Sequence, residues 1–364
     1  MLKRHNNRFN LSVKEQKKMK KYVKLSALLL VLVTVLSLAL SGCAFRKGEL
    51  ARVIASYPHG SAPGLMVKTE KNWVSFLNDY GSAEYTLSVS TSAEKTESVY
   101  TATGVSIWYL DACDDFAVWC ERSETEYTYM LYTFADKQTT VLKKVSTENY
   151  QPQNVGIYDG CVYYLIIDYT AKRYSVFKYN VEEKFEHEFI HGDLDEGKQP
   201  YSFAIEGENF IFINSRSIAV SRLTDLDTVF VSFLPSSVSY VYSASYDSTN
   251  RKCAIYYADS DSEDIGIIDE GQTEVKSIFT FGNNNYAYQD KIRCADGHVY
   301  WISQRNATGN VTDHYTFVDY DYINHKPTEQ KRAFSFFLDG DSVYFLRFDK
   351  DGSYENIELV CKNR

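Results

Sequence analysis

One cysteine stands where its thiol can take part in covalent chemistry. An uncharged apolar run, Leu25–Leu40, is followed by two small residues, Ser41 and Gly42, and then by Cys43. Small residues before a cysteine leave the backbone open to a processing enzyme, and a thiolate is the side-chain nucleophile that accepts an acyl or alkyl group most readily. The pattern therefore predicts a modification site at Cys43.

The segment before this cysteine has the composition of an export signal. Residues 1–42 contain nine Lys or Arg and a single acid, a net charge of +8, and the apolar run of 16 residues follows. A basic start and a short apolar run are typical of a secretory signal, and a membrane-spanning helix needs about 20 apolar residues. Residues 1–18 resemble no folded unit, and Met19 begins a compact signal of its own.

The sequence Leu40-Ser41-Gly42-Cys43 resembles the lipobox of bacterial lipoprotein precursors. The resemblance implies a signal peptide over residues 1–42, cleavage before Cys43, and diacylglycerol on its thiol. It places the chain on the outer side of the cell membrane, or on the periplasmic side or outer membrane in a Gram-negative host. Two or more acyl chains anchor a protein without any membrane span. The alternative is an uncleaved signal anchor in which Cys43 has no role.

The charge of the mature chain excludes some partners. Residues 43–364 hold 30 basic and 47 acidic residues, a net charge of −17. Nucleic-acid binding depends on basic surface, and so does adhesion to anionic lipid headgroups. We therefore predict no nucleic-acid partner, and membrane attachment through the lipid alone.

An acidic run could bind a cation. Asp259, Asp261 and Glu263 alternate with serine in Asp-Ser-Asp-Ser-Glu-Asp, and Ca²⁺ is bound by carboxylate oxygens at such spacings. The run lacks the central glycine and the distal glutamate of an EF-hand loop. A weak Ca²⁺ site is one interpretation, and a solvated acidic loop is the other.

Catalytic motifs are lacking elsewhere in the sequence. There is no Gly-x-Ser-x-Gly, His-Glu-x-x-His, Walker or Gly-x-Gly-x-x-Gly pattern. The seven histidines are scattered, and His298 follows Asp296-Gly297 as a turn residue would. The six later cysteines form no metal-binding pattern. Cys113 and Cys120 are the pair most suited to a disulfide, although small buried cysteines are the favoured interpretation.

Short aromatic runs repeat along the mature chain with a period near 45 residues. Their last residues are 76, 119, 164, 212, 257, 301 and 345, so the spacings lie between 43 and 48. Most follow a turn such as Asp159-Gly160 or Asp296-Gly297, and polar loops separate them from Tyr- and Phe-rich strands. Four strands per repeat is the size of a β-propeller blade. The repeat predicts an all-β chain with seven four-stranded blades, six or eight being the alternatives.

The runs such as Val162–Ile167 are apolar at consecutive positions, as expected of strands buried on both faces. A β-solenoid or a pair of sandwiches explains the regular period less well. The repeated Asp-Gly-x-Val-Tyr-Phe pattern over residues 60–364 resembles that of bacterial propeller lipoproteins, found widely in Gram-positive bacteria. This resemblance implies architecture and no catalytic residue.

The strand count predicts how the ring closes. After the seventh aromatic run there is room for one more strand, near Tyr354–Lys362, and the last blade lacks a fourth. Glu49–Tyr57 is strand-like and precedes a first blade that is already complete. We therefore predict that it is the outer strand of the last blade, because closure removes exposed strand edges. The propeller then spans residues 49–364, after a short tether over residues 43–48.

In a propeller, the loops between second and third strands share a face with the blade connections. Those loops are rich in acids, Glu121 among them, and the connections carry Tyr150, Tyr201, Tyr240 and Tyr286. Exposed aromatics in loops bind partners well, although these rings could also line the channel. We predict a non-catalytic scaffold that binds a protein, peptide or glycan. The alternatives are a secreted hydrolase or lyase with its site at the channel mouth, and an extracellular sensor subunit.

Overall fold

The computed structural model describes residues 51–58, 63–78, 83–194, 202–214, 217–260, 262–282, 292–349 and 356–364. These residues form 28 strands in seven separate sheets of four strands each, which confirms the predicted seven-bladed propeller. Each aromatic run of the repeat is the second strand of a blade. The part of the chain described here contains no helix long and apolar enough to cross a membrane.

The first six blades each consist of four consecutive strands. Blade 1 comprises β2 (Pro63–Lys68), β3 (Trp73–Asn78), β4 (Glu84–Ser90) and β5 (Ser98–Thr103). Blade 2 comprises β6 (Ser106–Ala112), β7 (Phe116–Arg122), β8 (Glu126–Thr133) and β9 (Gln138–Ser146). Blade 3 comprises β10 (Tyr150–Tyr158), β11 (Cys161–Asp168), β12 (Arg173–Asn180) and β13 (Phe185–Asp193).

Blade 4 comprises β14 (Ser202–Glu206), β15 (Asn209–Ile213), β16 (Ser217–Arg222) and β17 (Thr228–Phe233). Blade 5 comprises β18 (Tyr240–Asp247), β19 (Lys252–Ala258), β20 (Glu263–Asp269) and β21 (Val275–Gly282). Blade 6 comprises β22 (Arg293–Ala295), β23 (His298–Arg305), β24 (Val311–Asp321) and β25 (Lys326–Lys331).

The seventh blade joins the two ends of the domain. It comprises β26 (Ala333–Asp339), β27 (Ser342–Phe348), β28 (Asn356–Asn363) and, as its outer strand, β1 (Arg52–Pro58). β1 pairs antiparallel with β28, so that Arg52 lies opposite Cys361 and Pro58 lies opposite Asn356. The prediction that an N-terminal strand completes the last blade is confirmed.

The tight turns explain why Asp-Gly recurs between first and second strands. Asp159 and Gly160 both have positive φ angles, of 46° and 69°, and so do Asp296 and Gly297, at 51° and 88°. Two consecutive positive φ angles define the two-residue turn that matches the twist of antiparallel strands, and Asp-Gly is well suited to it. Blades 1 and 2 have longer turns there, in which Asp114 accepts hydrogen bonds from Thr69 Oγ1 and from Lys71 N.

The apolar core lies between blades and not inside any one of them. Blades 2 and 3 share a cluster that includes the fully buried Val118, Tyr129 and Tyr164, and Phe76 of blade 1 packs on Trp119 of blade 2. Burying apolar surface contributes about 25 cal/mol per Å². Since a single blade exposes both faces, that free energy becomes available only in the assembled ring.

Polar side chains connect the innermost strands of neighbouring blades. Asp111 Oδ2 accepts from Ile157 N at 2.9 Å, Glu206 Oε2 accepts from Tyr246 N at 3.0 Å, and Ser245 Oγ accepts from Cys294 N at 2.7 Å. Asn154 Nδ2 likewise donates to the carbonyl oxygen of Phe203 at 2.7 Å. These bonds satisfy backbone groups on the inner edges of blades 3 to 6, where no further strand can pair.

The six cysteines among the described residues are all free, and five of them are buried. Cys113 and Cys120 form no disulfide, which agrees with the interpretation of these residues as small apolar side chains.

A buried charge network joins blades 6 and 7. Lys362 Nζ lies 2.8 Å from Asp319 Oδ2 and 3.1 Å from Thr328 Oγ1, and His298 Nδ1 lies 2.6 Å from Asp319 Oδ1. The side chains of Lys362 and Asp319 are only 7% and 8% exposed. His298 is the first residue of β23, so its interpretation as a turn residue was wrong. Its carboxylate partner comes from β24, and the lysine comes from the strand that pairs with β1.

The network shifts two pKa values in opposite directions. The hydrogen bond to Asp319 raises the pKa of His298 above its usual value. Burial alone would raise the pKa of Asp319, but hydrogen bonds from His298 and Lys362 hold it below its usual value. The stabilisation from His298 is therefore complete below the ordinary histidine pKa and is lost as pH rises through the raised one. That from Asp319 is lost as pH falls through its lowered pKa.

We expect Asp319→Asn to lower the free energy of unfolding by about 3–5 kcal/mol, because it leaves Lys362 buried without a counter-charge. Asp225→Asn is the matched control, since it removes an exposed ion pair with Arg222 and should cost less than about 1 kcal/mol. Denaturant titrations measure both.

Between about pH 6 and about pH 8, the native protein should lose stability that His298→Gln does not lose. Equal pH profiles for these two proteins would refute the role of His298.

Candidate functional site

The propeller has two unlike faces. Antiparallel order places the turns between first and second strands, and between third and fourth strands, on one face, which we call the hairpin face. The loops between second and third strands and the blade connections lie on the other, the loop face. First strands begin at the loop face and second strands end there. Of the four tyrosines predicted to bind a partner, Tyr150 and Tyr240 begin first strands and therefore lie at the loop face.

Two of these four tyrosines are placed by the structure. Tyr150 is the first residue of β10 and Tyr240 is the first residue of β18, and both are half-buried. Tyr150 packs against the core between blades 2 and 3. Tyr201 and Tyr286 lie outside the described residues. The role of the four tyrosines in binding remains a prediction.

Tyr240 belongs to a stack of tyrosines at the loop end of blade 5. Its ring centroid lies 4.5 Å from that of Tyr242, which stacks at 4.5 Å on Tyr256. The hydroxyls of Tyr242 and Tyr256 donate to the two carboxylate oxygens of Glu263, at 2.9 and 2.5 Å. Tyr256 is fully buried, whereas Tyr240 and Tyr242 are half-buried. The stack thus holds Tyr240 in a fixed position at the rim of the blade.

The acidic run of blade 5 uses its carboxylates in separate hydrogen bonds. Asp259 Oδ1 accepts from Ser262 N at 2.7 Å, and Glu263 accepts from the two tyrosines. Asp261 lies outside the described residues. The described residues contain no group of three His, Cys, Asp or Glu side chains arranged to bind a metal ion. A Ca²⁺ site at Asp259, Asp261 and Glu263 stays a prediction.

Another acid of the predicted loop face lies inside a sheet. Glu121 is in β7, one residue before its end, and its Oε1 accepts from Tyr100 Oη at 2.8 Å and from Trp119 Nε1 at 2.9 Å. Burial and this carboxylate raise the pKa of Tyr100. Glu121 therefore fastens blade 2 to blade 1 and does not contribute to an acidic loop surface.

Sequence reasoning missed an aromatic cluster on the loop face at blades 2 and 3. Trp108 contacts Tyr109 and Tyr127 edge-to-face, with ring centroids 6.2 and 6.1 Å apart. The guanidinium of Arg122 lies over both Trp108 and Tyr127, at 5.1 and 5.7 Å from the ring centroids. Trp108 lies 11 residues before Trp119, the last residue of the aromatic run of blade 2, so the 45-residue period did not reveal it. The sequence signal that could have identified the cluster is the pair of adjacent large aromatic residues, Trp108 and Tyr109, in the first strand of blade 2.

A cleft of about 650 Å³ opens on the hairpin face between blades 1 and 2. Its walls include Tyr132, Phe134, Lys95, Lys137 and Glu97. Both lysines are exposed, and a carboxylate lies among them. The cleft thus combines both signs of charge with an aromatic wall, and it lies opposite the predicted binding face.

The sequence matches no protein-family model, and it matches no curated protein. Solved structures with the same fold are numerous. The β-propeller domain of the Trilobed protease from Pyrococcus furiosus is 9% identical, with a TM-score of 0.54 over 83% of this chain and 95% of that one. That propeller is described as having an open velcro topology, whereas β1 closes the ring here.

Two further similarities agree with the first. The CNH domain of AfRom2 is 9% identical, with a TM-score of 0.52 over 86% of this chain and 99% of that one. A chain from an analysis of two prolyl endopeptidases is 9% identical, with a TM-score of 0.55 over 85% of this chain but only 47% of that one. At such low identity these similarities establish the fold alone. The chain is similar to propeller domains and is itself an all-β, seven-bladed propeller.

Proposed function

We propose that the protein is a lipid-anchored extracytoplasmic scaffold whose loop face binds a protein, peptide or glycan. The observation that carries this proposal is the set of half-buried aromatic side chains on that face, among them Tyr150, Tyr240 and Tyr242. Tyrosine presents a large apolar ring with a polar end and loses little conformational entropy on binding, so it is common in binding surfaces.

The inner strands support binding in preference to catalysis. Asp111, Glu206 and Ser245 bond to backbone amides of the next blade, and so they brace the ring. Propeller enzymes bring polar groups of their inner strands together at the channel mouth instead. A secreted hydrolase or lyase is the alternative, and its test is a structure with substrate bound in the channel.

The position of β1 supports anchoring through Cys43. β28 runs from the loop face to the hairpin face, so its antiparallel partner β1 begins at the hairpin face. Arg52 is nine residues after Cys43, a reach of about 30 Å for an extended chain. Any anchor at Cys43 would therefore be connected to the domain through the start of β1, at the hairpin face.

Anchoring is expected to depend on the Cys43 thiol. Cys43→Ala should abolish incorporation of a fatty-acid probe and leave unprocessed precursor, because no other atom at the cleavage site accepts the lipid. Labelling of expressed protein, followed by membrane fractionation, measures this. Cys113→Ala, which alters a cysteine of the folded domain, is the matched control and should label normally. Labelling of Cys43→Ala at the native level would refute the lipoprotein proposal.

Partner binding is expected to depend on Tyr240. Covalent cross-linking on intact cells, followed by purification and mass spectrometry, should recover a specific partner with the native protein. Tyr240→Ala should reduce recovery about tenfold or more, as for an aromatic anchor in an interface, with an unchanged melting temperature because the ring is half-exposed. Tyr158→Ala, at the hairpin end of β10, is the control and should retain recovery. Full recovery with Tyr240→Ala would move the binding site elsewhere.

A further inference from the structure

The bulge in the first strand of blade 2 holds a tyrosine in the left-handed conformation. The register of β6 against β7 shifts between Trp108 and Leu110, and the residue in the bulge, Tyr109, has a φ of 55°. Blade 3 has the corresponding bulge, with Asn154 at a φ of 45°. Asparagine tolerates this left-handed conformation, whereas a bulky residue is disfavoured there. The chain therefore accepts backbone strain where it places two large rings side by side.

The tryptophan of this pair lies between the core and a cation. Trp108 packs against the core shared by blades 2 and 3, together with Tyr109 and Tyr150. Its Nε1 donates to Ser106 Oγ at 3.1 Å. Arg122, the last residue of β7, lies over the ring at 5.1 Å from its centroid. The outermost layer of the cluster is therefore a guanidinium and not an open aromatic face.

The guanidinium is available to a ligand. Arg122 is exposed, and it forms no ion pair with a carboxylate of the described part of the chain. Contact with the rings of Trp108 and Tyr127 holds the guanidinium at the loop end of β7. A stacked guanidinium presents a planar fork of donors that fits a carboxylate with two parallel hydrogen bonds. Tyr109 and Tyr150, which pack on the same core as Trp108, are half-buried and offer apolar contact.

We propose that Arg122, seated on Trp108 and Tyr127, binds a carboxylate of an acidic polypeptide segment, with Tyr109 and Tyr150 in contact with an adjacent apolar residue. This inference rests on the proposed function and names the ligand chemistry of the loop face. Tryptophan, tyrosine and arginine together are the residues that contribute most to protein interfaces. A neutral sugar would stack on an open ring face, and here a cation already lies over the ring of Trp108.

The test uses the mature lipidated chain, from Cys43 to Arg364, in liposomes and a displayed library of random linear peptides. The native protein should select peptides in which Asp or Glu stands next to an aromatic or large aliphatic residue. Arg122→Gln should bind the selected peptides about tenfold more weakly or worse, because a two-bond charged contact is lost. Arg122→Lys should fall between the two, since it keeps the charge and loses the fork. Lys172→Gln, an exposed cation of the same face, should bind normally.

Melting curves establish that each variant is folded, since Arg122 lies at a strand end and its loss should leave melting nearly unchanged. Selection without acidic residues, or equal binding by Arg122→Gln, would overturn the inference. An array of neutral and uronic-acid oligosaccharides is the second arm, and Arg122-dependent binding there in place of peptide binding would also overturn it. Recovery of a cell-surface partner that depends on Tyr240 would leave the proposed function standing in every one of these cases.

Discussion

The structure depends on one constraint, which is that every blade must bury both of its faces. The second strands show this most clearly, because Cys161–Ile167 is buried at every position along β11. Strands that are apolar on both sides cannot be stable in an isolated sheet, so each blade depends on two neighbours. Only a closed ring gives every blade two neighbours. The chain achieves this by combining its first strand, β1, with its last, β28, in one sheet.

The blade that closes the ring is bonded to both of its neighbours. Tyr57 of β1 packs in the core at the seam between blades 7 and 1, and its hydroxyl donates to the carbonyl oxygen of Ala93 at 2.6 Å. On the other side of the blade, Lys362 of β28 reaches Asp319 of blade 6. The closing blade is thus fastened to both neighbours by specific polar bonds in addition to apolar packing. With the inner strands bonded from blade to blade, the loop face is left as a surface on which side chains can be presented at fixed positions.

The architecture could be predicted from the sequence because the buried aromatic strands recur at a regular spacing along the chain. The aromatic runs recur every 43 to 48 residues, and the strand count at the two ends required a shared blade. The contacts between blades were not predictable in the same way. His298 and Asp319 are 21 residues apart and meet within blade 6, whereas Lys362, 43 residues after Asp319, reaches them only because blade 7 packs against blade 6. Glu121 was assigned to an acidic loop, but its partners Tyr100 and Trp119 hold it inside the interface of blades 1 and 2. The cluster around Trp108 was missed because three separate strands build it.

Formation of a disulfide across β1 and β28 tests the closed ring most directly. Arg52→Cys places a thiol opposite the native Cys361, within the Cα separation that antiparallel neighbours and disulfides share. The neighbouring variant Val53→Cys is the control, because its side chain points to the other face of the strand. After mild oxidation of the purified protein, a mass-spectrometric map should show position 52 joined to Cys361 within a single chain. Free thiols at both positions, or cross-links only between separate chains, would contradict closure of the ring by β1.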